Sequence, residues 1–140
     1  MKEDFSKFIF HCLIPIIVGI IIYVEFRGFY LLKPHHNYET FFSLIKTSYW
    51  VKYNLPDGLW FYALLSTLSI VWKENSSIYF ISWIILSVLL TVLSEVSQAF
   101  QLIKGTFDWF DLLTYTIAFF AYYSVNFKQI NKQLSLTFKK

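Results

Sequence analysis

Apolar residues in this chain come in long blocks rather than at every second or every third to fourth position, and the polar residues collect between the blocks. Judged against the roughly 20 apolar residues that cross a bilayer, four blocks predict membrane helices at 8–26, 56–72, 77–103 and 109–127. The first is the clearest, and lipid-embedded helices accept its Pro15 and Gly19. The second is short and contains Ser66, Thr67 and Ser69, but its WFYALL start and the tight link from Lys73 to Ser77 favour spanning. The third turns polar over its last turns, and the fourth is aromatic-rich and runs into lysines.

Residues 27–55 form a long connection for a helical bundle. Within it Tyr38, Phe41, Phe42, Ile45 and Tyr49 fall at i, i+3, i+4, i+7 and i+11, one face of a helix, with Glu39, Ser43 and Lys46 elsewhere on the wheel. This predicts an amphipathic helix on the membrane surface; a lid over a pocket would use the same face. The expected fold is therefore all-α: one polytopic membrane domain, four transmembrane helices, a short amphipathic helix in the first extracytoplasmic loop and a basic cytoplasmic tail at 128–140.

Composition agrees with that reading. Of 140 residues, 56% are hydrophobic, 22% aromatic and only 15% charged, which is not the make-up of a soluble globular domain. A single cysteine, Cys12, excludes an internal disulfide and a cysteine metal cluster. Glu3 and Asp4 stand beside Lys2 and Lys7, and no small-residue cleavage site follows the first block, so a retained helix is expected rather than a cleaved signal peptide. A net charge of +3 from dispersed basic residues gives no nucleic-acid surface.

Four spans place both termini and the Lys73 turn on one side. That side holds seven of the twelve Lys and Arg residues: Lys2, Lys7, Lys73, Lys128, Lys132, Lys139 and Lys140. The positive-inside rule makes it cytoplasmic, where anionic lipid would hold the tail. Six of the nine acids fall on the opposite side: Glu25, Glu39, Asp57, Glu95, Asp108 and Asp111.

The candidate chemistry lies in Ser94 to Asp111, SEVSQAFQLIKGTFDWFD. Acids in or beside hydrocarbon are costly and face a protein interior or a wet cavity. Glu95 and Gln98 share a helix face, Gln101 repeats the spacing and Leu102 completes the face, while Asp108, Asp111 and Tyr115 follow i, i+3, i+7 on the next helix. Lys104-Gly105 reads as the helix stop, with glycine free to take positive φ. Glu95 precedes Lys104 by nine residues, which puts it roughly 13 Å inside that helix end. Asp108 and Asp111 could instead be an N-cap and its N3 partner, and Asp57 could serve the start of its own helix beside Pro56. Glu95 has no such capping role; its structural alternative is a buried carboxyl bonded across helices. Adjacent His35 and His36 cannot face one site together and read as loop residues. Tyr49, Trp50, Trp60, Trp72, Trp109, Tyr122 and Tyr123 read as interfacial belt.

The run Asn54-Leu55-Pro56-Asp57-Gly58-Leu59-Trp60, then Glu95-x-x-Gln98, then Gly105-Thr106-Phe107-Asp108-x-x-Asp111-Leu112-Leu113 resembles the VanZ-like family of small bacterial membrane proteins over about residues 50–125. The resemblance implies a four-helix protein of the bacterial cytoplasmic (inner) membrane. It implies a substrate-binding set of Glu95, Gln98, Gly105, Asp108 and Asp111, to which Thr106, Asn54 and Asp57 are added. The family's namesake is linked to low-level resistance to the glycopeptide teicoplanin.

Three functions of different classes fit. The favoured one is an outward-facing acidic and amide pocket that binds a cell-envelope precursor or a lipid headgroup. The second is a membrane-embedded hydrolase or transferase with Glu95 as acid or base, although the chain carries no serine–histidine, cysteine–histidine or HExxH arrangement. The third is an assembly subunit in which the polar cluster fixes helix packing. No cofactor is required; an oxygen-rich site would take magnesium or calcium before zinc.

Overall fold

The computed structural model describes residues 2–27, 48–73 and 77–138, and every regular element among them is helical. The chain opens with α1 (Lys2–Phe8), passes through a π-helical turn (Ile9–Leu13) and continues as α2 (Ile14–Arg27). A short α3 (Tyr49–Tyr53) leads into α4 (Leu55–Val71), followed by α5 (Ser77–Ala99) and α6 (Trp109–Phe138). Most of the expected amphipathic helix, with His35 and His36, lies outside the described residues; its last member, Tyr49, begins α3.

Two helical stretches, Asp4–Phe26 and Ile78–Ala99, are long and apolar enough to cross a membrane, and Leu55–Val71 is a shorter apolar helix. The second block agrees with α4 to within one residue at each end; the first ends within one residue of α2, but the helical stretch starts at Lys2, six residues before its predicted start. The third and fourth differ. α5 stops at Ala99, four residues before the predicted end, and α6 runs to Phe138, through most of the expected tail. The reason for the second difference is tertiary. Gln129 Nε2 donates to the Ser69 carbonyl (2.7 Å) and Gln133 Nε2 to that of Lys73 (3.2 Å), so the extension of α6 satisfies carbonyls that the end of α4 leaves open.

Helix α4 is the hub, packed by α2 on one side and α6 on the other, with α5 against α6. Its direction relative to each neighbour follows from the contacts. His11 bonds Tyr62 and Asp4 pairs with Lys73, while Gly19 and Tyr23 meet Trp60, so α1 and α2 run antiparallel to α4. Gly58 meets Thr114, Ser69 bonds Tyr122 at 2.6 Å and Lys73 meets Gln133, so α6 runs parallel to it. Phe61, Leu65, Ala118 and Tyr122 form the core between α4 and α6. Tyr122 is therefore fully buried core, not interfacial belt.

The distribution of polarity is unusual for a protein in water. Buried side chains include Asn54, Ser66, Ser69, Glu95, Thr114 and Gln133 alongside the apolar core. Ile17, Ile20 and Ile21 on α2, Leu89, Leu90 and Leu93 on α5, and Ile117 and Phe120 on α6 are exposed. Contiguous apolar surface of this kind marks contact with lipid or a partner.

Close approach of α4 to α6 depends on Gly58. A Cβ there would overlap Thr114 Cγ2. The Thr114 methyl has little freedom to turn away, because its Oγ1 donates to the Phe110 carbonyl (2.7 Å) and accepts from Trp50 Nε1 (2.7 Å). Helix propensity favours alanine over glycine by about 1 kcal/mol, whereas overpacking costs about 1–3 kcal/mol; with the methyl pinned, sterics win. Gly58→Ala is expected to lower thermal stability in detergent, and Thr114→Ser, which keeps the hydroxyl and deletes the methyl, should restore it. A Gly58→Ala protein as stable as the parent would refute the pinning.

Candidate functional site

The polar cluster forms where α4 and α6 begin and α5 ends. Asn54 occupies the N-cap position of α4, yet its side chain makes no capping bond. Instead its carboxamide leaves the helix: Nδ2 donates to Asp111 Oδ1 at 2.6 Å, with a long second contact of 3.5 Å to Asp108 Oδ2. Asn54 is only 1% exposed, and its Oδ1 has no hydrogen-bond partner among the described residues.

Asp108 does two things at once. Its Oδ1 accepts from the Phe110 amide (2.9 Å), so it caps α6, while Oδ2 faces Asn54. Asp111 stands at N3, where a capping-box acid would reach back to the cap amide, and it accepts from Asn54 instead. Asp57 holds the equivalent N3 place on α4. All three aspartates thus sit at positive helix ends, which stabilise a carboxylate by about 0.3–1 kcal/mol each.

Glu95 has no such compensation. It lies in the last turn and a half of α5, at the negative end of that helix. It is 3% exposed, its Oε2 has no hydrogen-bond partner among the described residues, and the carboxylates whose charge it feels are, in decreasing order, Asp111, Asp57 and Asp108. The depth expected from sequence is corrected here. With α5 ending at Ala99, Glu95 is four residues, roughly 6 Å, from the helix end rather than 13 Å. Its burial comes from packing under α4 and α6 rather than from distance along the helix.

The helix stop also differs from expectation. The Leu102 amide bonds the Ser97 carbonyl (2.9 Å), the Gln101 amide bonds that of Gln98 (2.9 Å), and Gln101 has φ 57°. This is a Schellman ending with glutamine as the left-handed residue, so Gln101 and Leu102 lie past the helix and are exposed. Gly105 has another task. At φ 151° it takes a conformation that side chains disfavour, and a Cβ there would run into the Gln98 carboxamide. Half-buried Gln98 is therefore laid across the loop backbone at Gly105, and Thr106 is exposed on the same loop.

The structure brings together Asn54, Asp57, Glu95, Asp108 and Asp111, backs them with Gln98 on Gly105, and leaves Thr106 outside on the surface. Among the described residues no three acids, histidines or cysteines converge closely enough to hold a metal ion. Sequence reasoning missed Trp50 and Thr114. Trp50 was expected in the interfacial belt, but its indole N–H is bonded to buried Thr114. The i, i+3 spacing of Asp111 and Thr114 was the available signal.

Asn54 is the only described residue donating to both aspartates. Asn54→Ala is expected to cost about 1–3 kcal/mol, the penalty for removing one partner of a buried polar pair. Asn54→Asp should cost more, because it replaces the donor with a further negative charge. Thermal unfolding of the purified variants checks the order; an aspartate variant more stable than the alanine one would contradict it.

No family model matches the chain, and no curated protein or solved structure matches it.

Proposed function

We propose that this chain is a VanZ-like protein of the bacterial cytoplasmic membrane. In this reading it crosses the bilayer four times and binds a cell-envelope precursor or lipid headgroup at the Asn54–Asp57–Glu95–Asp108–Asp111 cluster. The observation that carries the reading is the pair of buried oxygens at the cluster, Glu95 Oε2 and Asn54 Oδ1, that no group among the described residues satisfies. Leaving such an atom unpaired costs about 1–3 kcal/mol, and a donor from outside the chain removes that cost. An assembly role alone would be served better by groups that satisfy one another.

Four spans are supported by the exposed apolar faces of α2, α5 and α6 and by the direction of α4, antiparallel to α2 and parallel to α6. Hydroxyls on α5 and α6 also answer to their own helices: Thr91 bonds the Ser87 carbonyl, Thr116 that of Leu112 and Ser124 that of Phe120. Such groups can face hydrocarbon without an orphaned donor. Asp4, Lys73 and Gln133 meet at the end opposite the cluster, where the lysines are richer. The positive-inside rule then turns the cluster outward.

Glu95→Gln and Asp111→Asn keep shape and remove charge. Each is expected to abolish the chain's effect on teicoplanin susceptibility in a bacterial host while membrane abundance stays unchanged. Full effect in both variants would sink the carboxylate site, and lost abundance would favour the packing role. Orientation has its own check. With Cys12→Ser as background, Thr106→Cys is expected to react with a membrane-impermeant maleimide on unbroken cells; reaction only after lysis would reverse the topology.

A further inference from the structure

Directly beneath the polar cluster lies a groove of about 570 Å³ between α5 and α6, floored by Phe61 of α4. That volume is in the range of small-molecule sites, roughly 300–1,000 Å³. Its walls are apolar: Ile84, Val88 and Val92 from α5, Leu112 and Phe119 from α6.

The groove residues and the cluster residues share helix faces. On each of three helices an acid sits one turn from a groove residue: Asp57 from Phe61, Glu95 from Thr91, Asp111 from Tyr115. Asp108 stands in the same relation to Leu112. The groove also opens sideways, since Ile85, Leu89 and Val92 on its α5 edge are exposed. From Ile84 to Val92 it runs roughly 12 Å along α5. An occupant that matches this surface is apolar along its length and carries hydrogen-bond donors at one end.

The chemistry of that end is set by the atoms that wait for it. At the cluster the unsatisfied buried atoms among the described residues are Glu95 Oε2 and Asn54 Oδ1, both acceptors when Glu95 is ionised, so a donating head fits them. Glu95 lies in the field of three further carboxylates, so a positive head is favoured over a neutral one and an anionic head is repelled.

The geometry points to a lipid amphiphile bound with its primary ammonium head in the Glu95–Asn54 cluster and its hydrocarbon chain in the α5–α6 groove. This rests on the headgroup reading above and adds the ammonium chemistry and the place of the chain. Entry is lateral, from the bilayer past Leu89, and needs no aqueous channel.

The test uses the full chain, purified in a non-ionic detergent, and single-chain probes of one length measured by titration calorimetry. The probes are dodecylamine, dodecyltrimethylammonium, which has the charge but no N–H donor, and dodecanoate. Butylamine, a head without a chain, serves as a competitor. Dodecylamine is expected to bind at least tenfold more tightly than either dodecyl analogue. Glu95→Gln should weaken dodecylamine at least tenfold. Leu89→Trp at the exposed rim and Val88→Trp in the wall should do the same while leaving butylamine competition against residual binding intact. The rim variant keeps the test valid if the wall variant fails to fold. Equal binding of dodecylamine and dodecanoate would overturn the proposal. Loss of both amines in Glu95→Gln with no effect of Leu89→Trp would overturn the groove and leave the headgroup reading standing. No effect of Glu95→Gln on any probe would overturn both.

Discussion

The hydrogen bond from Asn54 to Asp111 holds the functional end of this molecule in register. It ties the start of α4 to the start of α6, two helices that run parallel and would otherwise present three aspartates to one another with nothing between them. The Asn54 carboxamide is turned toward α6 and its Oδ1 meets no α4 amide, so α4 begins without a side-chain cap. The fold accepts a weaker helix start in exchange for a fixed distance between helices. Trp50 and Thr114 extend the same seam by one more bond, and Gly58 lets the backbones close below it. Everything proposed for the site depends on this seam, since Glu95 is buried under it.

The seam explains why polar residues occupy the interior. In the membrane setting proposed for this chain, apolar burial does little to drive helices together, so packing and interhelical hydrogen bonds must do so. The pairs Ser69–Tyr122, His11–Tyr62 and Gln129 with the Ser69 carbonyl do this at the other end of α4.

What could be read from the sequence follows from which forces act locally. The helical blocks were legible because apolar runs of spanning length have few other uses. Glu95, Asp108 and Asp111 were legible because acids between such runs demand a reason. Asn54 was added to the site only as part of a resemblance, since an amide before proline reads equally well as a turn residue; its role depends on α6, more than fifty residues away. The end of α5 was misplaced for a similar reason. Glycine is the usual left-handed residue, and Gly105 was in view, but the chain turns at Gln101 and keeps Gly105 for the passage of Gln98. The length of α6 could not be read at all, because the bonds that sustain Gln129 and Gln133 in a helix end on α4.

The π-helical turn at Ile9–Leu13 has a consequence for phase. Asp4 and Tyr23 are nineteen residues apart (23 − 4), yet both contact α4, at Lys73 and Trp60. At 3.6 residues per turn, nineteen residues are five turns and about a further 100°, which would carry one of the two contacts a quarter of the way round the helix. A π turn takes up about one extra residue, and so returns that angle. The underwound segment thus acts as a vernier: it resets the phase of the first helix so that its two ends can meet the same neighbour.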